Sequence, residues 1–168
     1  MTAIPQTATV EVPTPQRVER IRFCTRCATT AEEADTQGGA FGCDRVCGRC
    51  GMGLMLSAPR RALPGPGAAF LVVTREGRIS AVSEAAEALV GEEAGLLDVP
   101  VTTTLTSPDG DDLFARHLAR AASGGRDVAE TVVVPAPHGG RKPRRLAARI
   151  ASCGPPRAAL LVLERASL

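Results

Sequence analysis

The sequence contains no tryptophan, no tyrosine and only four phenylalanines among its 168 residues. Many RNA-binding and single-strand-binding domains stack bases on exposed aromatic rings, so this shortage argues against those binding modes. It also means that any core is built from valine, leucine, isoleucine and alanine. Because 44% of the residues are hydrophobic, a content typical of globular proteins, we expect most of the chain to be folded.

Histidine is also scarce, with only His117 and His138 available for acid–base chemistry. The sequence lacks the nucleophile elbow of serine hydrolases, a phosphate-binding loop and a zinc motif that leaves a coordination position open. It also lacks a recognisable pair of catalytic carboxylates. We therefore predict that the protein is not an enzyme. Binding, sensing and structural roles are left.

Further absences bear on location and partners. No apolar run approaches the roughly 20 residues that span a bilayer, so we expect no membrane insertion. The start of the chain, MTAIPQTATVEVPTPQ, has neither the basic start nor the apolar run of an export signal, which predicts a cytoplasmic protein. A formal net charge of +2 is too small to require a nucleic-acid or anionic-membrane partner.

What the sequence does contain is cysteine at the spacing of metal ligands. Cys24 and Cys27 form one C-x-x-C pair and Cys47 and Cys50 form a second, with 19 residues between the pairs. Each pair can turn around a soft ion and supply two adjacent corners of a tetrahedron, and this overall spacing is typical of zinc sites. The sequence therefore predicts a four-thiolate Zn²⁺ site whose closed shell leaves no position for a catalytic water.

Alternatives to this ligand set stay open. Cys43 lies four residues before Cys47 and could be a ligand in its place if Cys47 or Cys50 pointed away. Otherwise it could be a free buried thiol or a group outside the coordination shell. Disulfides and an iron–sulfur cluster also use cysteine, but the expected location argues against the first and the absence of common ferredoxin spacings against the second. The surrounding segment has few large apolar residues, so we expect the metal to hold it together.

Proline and glycine divide the chain into four parts. Residues 1–17, which contain three prolines among threonine and glutamine, are a predicted disordered tail. Residues 18–57 are the predicted zinc module. Residues 58–67, with three prolines and two glycines, are a predicted linker. Residues 68–168 form the main domain.

The main domain shows a pattern of two strands, several helices and three further strands. Ser83 stands where a side chain would cap a helix, and Gly91 stands where that helix would end. Apolar residues recur at helical spacing further along, and alternating or continuous apolar runs indicate the strands. The predicted elements are strands at 70–74 and 78–82, helices at 84–90, 92–98 and 111–123, and strands at 128–135, 145–153 and 158–164.

The segment FLVVTREGRISAVSEAAEALVG, followed by a long helix and a three-stranded meander, resembles a PAS domain over about residues 68–166. VCGRCGMG similarly resembles a zinc-ribbon knuckle, and the joint layout resembles short actinobacterial proteins with a ribbon before a PAS domain. The resemblance implies an α+β fold: a five-stranded antiparallel sheet with helices on one face that can enclose a small-molecule ligand. It also implies sensing or recruitment, through a protein partner or a homodimer.

One histidine could make such a fold a specific sensor. His117 lies on the apolar stripe of the 111–123 helix, where haem-binding PAS domains carry their axial histidine, so the resemblance implies a haem or ligand contact there. The alternative is that His117 is a packed or partly exposed residue whose ring nitrogen has an ordinary hydrogen-bond partner. PAS relatives that form a flavin adduct carry a cysteine on the preceding helix, and this sequence has none in that stretch. Cys153 is interpreted as a buried thiol.

Clustered positive charge supports a competing function. The 141–149 segment holds Arg141, Lys142, Arg144, Arg145 and Arg149, and the zinc module adds Arg26, Arg45 and Arg49. A zinc ribbon that binds nucleic acid, or a transcription-associated regulator, is therefore the alternative to a cytoplasmic PAS-type sensor or adaptor. A thiol redox switch at the metal is a third hypothesis.

Overall fold

The structure, a computed structural model, describes residues 19–30, 45–125, 127–134 and 143–165. The predicted tail, Cys43, His138, Arg141 and Lys142 lie outside these residues. In chain order the elements are β1 (Arg20–Cys24), β2 (Met55–Pro59), a 3-10 turn (Arg60–Ala62), β3 (Ala69–Val73), β4 (Ile79–Val82), α1 (Glu84–Val90), α2 (Glu93–Leu96), α3 (Val101–Thr104), α4 (Asp111–Ala122), β5 (Val128–Val134), β6 (Arg144–Cys153) and β7 (Ala158–Arg165).

Five strands form one antiparallel sheet in the order β4-β3-β7-β6-β5, and α1 to α4 lie in the connection between β4 and β5. The predicted α+β class and five-stranded antiparallel sheet are therefore confirmed. Each predicted strand of this sheet begins and ends within one residue of the observed strand. Strands β1 and β2 form a separate antiparallel hairpin, in which Phe23 lies opposite Leu56.

Local signals account for the helices that the sequence predicts well. Helix α1 begins after Ser83, whose Oγ accepts a hydrogen bond from the backbone N–H of Ala86, and it ends at Gly91 with φ of +112°. Helix α3 escaped prediction because it is a single turn after Pro100, too short to show a helical period. Its buried Val101 packs into the core.

The inner face of the sheet packs against the helices. Residues of α1, α3 and α4 meet residues of all five strands in one apolar core, here called the inner core, and Phe114 and Leu118 of α4 are fully buried there. Alternate residues of β6, including Leu146 and Ile150, point into this core, as expected for a strand with one face against a helix. The helices therefore cover one face only.

The β1–β2 hairpin covers part of the outer face. Phe23 and Leu56 of the hairpin are buried against Phe70 and Leu160 of the sheet, and the rings of Phe23 and Phe70 meet edge to face with centroids 5.9 Å apart. Burial of this apolar surface is the main force that holds hairpin and sheet together. The hairpin and the sheet thus share a second core, here called the outer core, which the sequence did not predict.

Polar contacts also join the hairpin to the sheet. Ser57 and Gly154 exchange two backbone hydrogen bonds of 2.7 and 3.0 Å, which extends β2 toward the end of β6. The first residues of the predicted linker, 58–67, form the end of β2 and the 3-10 turn, and the linker itself stays a prediction. Within the ranges that the structure describes, no helix combines the length and apolar character needed to cross a membrane.

Candidate metal centre

Four cysteine side chains converge at the loop end of the β1–β2 hairpin. Cys24 ends β1 and Cys27 lies in the turn after it, whereas Cys47 and Cys50 belong to a second turn shortly before β2. The Sγ atoms of Cys24 and Cys50 are 3.6 Å apart, and those of Cys27 and Cys47 are 3.9 Å apart. All four sulfurs lie within 4.8 Å of one another.

This sulfur spacing fits a tetrahedral metal ion. A metal–sulfur distance of about 2.3 Å places the sulfurs of a tetrahedral four-thiolate site about 3.8 Å apart. The Cys24–Cys50 and Cys27–Cys47 separations of 3.6 and 3.9 Å bracket that value. All five cysteines in the described ranges are free thiols, so these sulfurs are not consumed in disulfides. The four cysteines could therefore hold a metal ion.

The first turn directs backbone N–H groups at a sulfur. The amides of Arg26 and Cys27 point at Cys24 Sγ, with N···S distances of 3.3 and 3.5 Å. The turn closes through a 3.1 Å hydrogen bond from the N–H of Ala28 to the carbonyl of Cys24, and Ala28 adopts a left-handed φ of +62°. Hydrogen bonds from amides stabilise a thiolate, which is the form that binds metal.

The second turn repeats this arrangement. The N–H of Gly51 donates to the carbonyl of Cys47 at 2.8 Å, and Gly51 has a φ of +68°, where glycine is favoured. The N–H of Gly53 points at Cys50 Sγ with an N···S distance of 3.4 Å. Gly53 in turn accepts a 2.7 Å hydrogen bond from the N–H of Cys47. Both turns are therefore built to present two sulfurs each.

Burial and hydrogen bonding act in opposite directions on these thiols. Burial raises the pKa of Cys24 and of Cys47 in the absence of a cation. At Cys50 burial also raises the pKa, but hydrogen bonds from the backbone of Met52 and Gly53 and from the neighbouring cysteines outweigh it and lower the pKa to about 7. A bound cation would favour the thiolate form of all four.

Two buried threonines surround the cluster. Thr29 Oγ1 accepts hydrogen bonds from Cys27 Sγ at 3.2 Å and from the guanidinium of Arg49 at 3.3 Å. Thr25 Oγ1 accepts a 2.9 Å hydrogen bond from the N–H of Leu54 and thereby ties the two turns together. Groups that orient metal ligands in this way are usually important for metal affinity. Neither threonine was singled out from the sequence.

Arg26 connects the first turn to the helices of the main domain. Its guanidinium makes two hydrogen bonds of 2.8 and 2.9 Å to the carboxylate of Glu87 and an ion pair of 3.4 Å with Glu93. Its carbonyl accepts a 3.0 Å hydrogen bond from the N–H of Glu84 at the start of α1. The hydrogen bonds from Arg26 lower the pKa of Glu87. Arg26 is one of the clustered positive charges that suggested nucleic-acid binding, but in the structure it is paired with carboxylates.

Among the other singled-out residues, His117 and Cys153 do not belong to the cysteine cluster. His117 is half-buried on α4, next to the fully buried Leu118, and its part in binding haem or another ligand stays a prediction. Cys153 is a buried free thiol in the outer core, as predicted, and burial raises its pKa to about 12. Cys43 lies outside the described residues, so its role as an alternate ligand stays a prediction too.

Gly53 offers a sharp test of the site because its missing side chain makes room for a sulfur. A Cβ added to Gly53 would overlap Cys24 Sγ and would lie 2.8 Å from the Cβ of Arg26. We expect Gly53→Ala to lower metal affinity by about 10- to 100-fold, the usual effect of disturbing groups around the ligands. Competition with a chromophoric chelator measures this affinity.

Gly51→Ala is the matched control for this substitution. Nothing lies within 4 Å of a Cβ added to Gly51, whose left-handed backbone alone is strained by a side chain. That strain costs about 1 to 2 kcal/mol of folding free energy and leaves the sulfurs in place. Equal losses of metal affinity in the two variants would show that the space left by Gly53 next to Cys24 Sγ is not important for metal binding.

Comparisons with known proteins add no assignment. No protein-family model matches the chain, and no curated protein matches it either.

Proposed function

We propose that this protein is a non-enzymatic, cytoplasmic PAS-type adaptor or sensor that carries a structural zinc ribbon and acts through contacts with another protein. The observation that carries the proposal is the docking of a four-cysteine hairpin onto a five-stranded antiparallel sheet. Such a molecule combines a metal-stabilised module with a sheet-and-helix domain of the kind that the PAS resemblance implies.

Zinc is the metal that this donor set favours. Four cysteine sulfurs at tetrahedral spacing match structural zinc sites, and two C-x-x-C turns 19 residues apart match their sequence pattern. Four thiolates complete the coordination shell of a tetrahedral ion and leave no position for a substrate or an activated water. The role proposed for zinc is therefore to stabilise the hairpin, and chemistry at the metal is not part of the proposal.

The packing of the inner core supports adaptor function more strongly than ligand sensing. Fully buried side chains such as Phe114, Leu118 and Leu161 meet between α4 and the sheet, where a PAS ligand would be enclosed. The described clefts of about 360–540 Å³ instead lie at the surface, two of them between the zinc module and α1 or α2. A ligand enclosed between α4 and the sheet would need space that these packed side chains now fill.

Native mass spectrometry of the full chain, together with cross-linking in cells, tests the proposal. We expect one zinc per chain and a specific cross-linked protein partner, which is either another protein or a second copy of this chain. An absorption band of haem, or the mass of a retained small molecule, would identify the sensor form. A metal-free protein with disulfide-paired cysteines, or a protein that cross-links to no partner, would overturn the proposal.

Nucleic-acid binding is the second candidate, because the fold brings separate basic segments together. Arg149 of β6 donates a 2.6 Å hydrogen bond to the carbonyl of Arg61, which lies in the 3-10 turn after the hairpin. However, Arg61 pairs with Asp127 at 2.8 Å and Arg149 pairs with Glu164 at 3.4 Å, which reduces the charge available to phosphate. Binding to duplex DNA that weakens steeply as salt rises would favour this candidate, and no binding at low salt would remove it.

A further inference from the structure

The exposed apolar side chains of the described residues gather in one region. The large hydrophobic residues that stay exposed there are Val46, Met52, Leu54 and Leu97, at 47, 71, 51 and 48%. Val46 faces Leu54 across an isolated β-bridge, and the other three side chains line the same cleft, with a volume of about 510 Å³. A single exposed leucine needs no explanation, but a contiguous apolar patch is typical of an interaction site.

We call this cleft the knuckle groove; it lies between the second cysteine turn and α2. Met52, Gly53 and Leu54 come from the zinc module, whereas Ala94 and Leu97 come from α2 and the residue after it. Small residues make up much of the remaining lining, so an incoming side chain meets little steric hindrance. The groove exists only while the zinc module is docked on the helices.

Carboxylates give the knuckle groove a negative rim. Glu87, Glu92 and Glu93 line it together with one cation, Arg26. Because Arg26 already pairs with Glu87 and Glu93, its single charge is spread over two carboxylates. The three carboxylates and one guanidinium leave a local charge of −2. An apolar surface with this rim attracts a basic partner and repels an acidic one.

We propose that the knuckle groove binds a peptide segment of a partner protein in which apolar side chains stand next to lysine or arginine. The apolar side chains would contact Met52, Leu54 and Leu97, and the basic groups would lie near Glu92 and Glu93. A cleft of this volume accommodates a few side chains, as binding pockets of similar size do. The inference rests on the proposed adaptor function and supplies the chemistry of the partner.

Selection from a random peptide library displayed on phage, with the zinc-loaded full chain as bait, tests this inference. We expect the enriched peptides to combine apolar and basic residues. Their affinity, measured by fluorescence anisotropy with synthetic labelled copies, should fall about tenfold or more in Met52→Ser/Leu97→Ser, because the two substitutions together remove the central apolar contacts. Glu92→Lys should weaken binding as well.

Two control variants address non-specific effects. Leu113→Ser removes a half-buried leucine from α4, and Glu76→Lys reverses an exposed charge in the turn before β4; neither residue lines the knuckle groove. Both should leave peptide affinity unchanged. All variants should keep their metal content and circular dichroism, so that lost binding is not lost folding. Enrichment of acidic peptides, no enrichment, or equal binding by groove and control variants would overturn the inference.

Cross-linking in cells with the Met52→Ser/Leu97→Ser variant separates this inference from the proposed function. If the partner seen with the wild-type protein is lost, the groove is its binding site. If the partner is retained, adaptor function stands and the groove is not the contact. Dissociation of a wild-type homodimer by the same substitutions would identify a second copy as the occupant and would also overturn the inference.

Discussion

Cys24→Ala is expected to abolish metal binding and to unfold the zinc module. Structural zinc contributes on the order of 10–16 kcal/mol in small zinc-folded units, and removal of one thiolate from a closed shell forfeits much of that free energy. Because Cys24 Sγ also receives two backbone amides, its loss leaves those donors without their acceptor. Metal analysis by mass spectrometry should show a fall from one zinc per chain to none, with a large drop in melting temperature.

Cys153→Ala is the control for this experiment. Cys153 is as buried as Cys24, but it belongs to the outer core and not to the cysteine cluster. Its replacement removes only a small hydrophobic group, so we expect zinc to be retained and the loss of stability to be about 1 kcal/mol. Full zinc occupancy in Cys24→Ala would contradict the assignment of the ligands.

The role of Cys43 is tested separately. Zinc that persists in Cys47→Ala but not in Cys43→Ala/Cys47→Ala would identify Cys43 as the alternate ligand.

Phe23→Ala is expected to destabilise the whole protein by about 3–5 kcal/mol. Phe23 is fully buried between the hairpin and the sheet, and truncation of such a ring leaves a cavity as well as losing buried area. The edge-to-face contact with Phe70 adds about 0.5–1.5 kcal/mol of pair energy. Urea unfolding should therefore show one cooperative transition that shifts to lower urea as a unit.

A double-mutant cycle makes the shared core measurable. The free-energy changes of Phe23→Ala and Phe70→Ala should not add, because the two rings contact each other. Those of Phe23→Ala and Phe114→Ala should add, since Phe114 lies in the inner core on the other face of the sheet. An early separate transition in Phe23→Ala, with the sheet unfolding at unchanged urea, would show that the hairpin folds independently.

The elements of the sheet could be predicted because their signals are local. Ser83 and Gly91 delimit α1, and the Glu76-Gly77 turn separates β3 from β4. The docking of the hairpin could not be predicted, because Phe23 and Phe70 are brought together only by the fold. One sign of it was present: β3 and β7 are apolar at nearly every position, which is typical of strands buried on both faces. Helices cover one face, so another element had to cover the second.

The same distinction holds at the metal centre. Cysteine spacing was sufficient to predict which four sulfurs converge, because each C-x-x-C pair forms a local turn that presents two sulfurs. Arg26 and Glu87 are 61 residues apart in the sequence, and they pair only because the cysteine turn docks next to the helices. Only the structure reveals this ion pair. The role of Gly53 could be predicted only in part. The sequence shows that the residue is glycine, but the Cys24 sulfur that would collide with a side chain at this position belongs to the other turn.

The shared outer core has a consequence for how this protein can be divided or recombined. A fragment without the hairpin would leave Phe70, Val72 and Leu160 exposed to water, and such an apolar surface favours aggregation. A hairpin released from the sheet would leave Phe23 and Leu56 equally unprotected. The smallest unit that can be transferred intact is therefore the hairpin together with the sheet, and a metal ion held by the four cysteines would stabilise both.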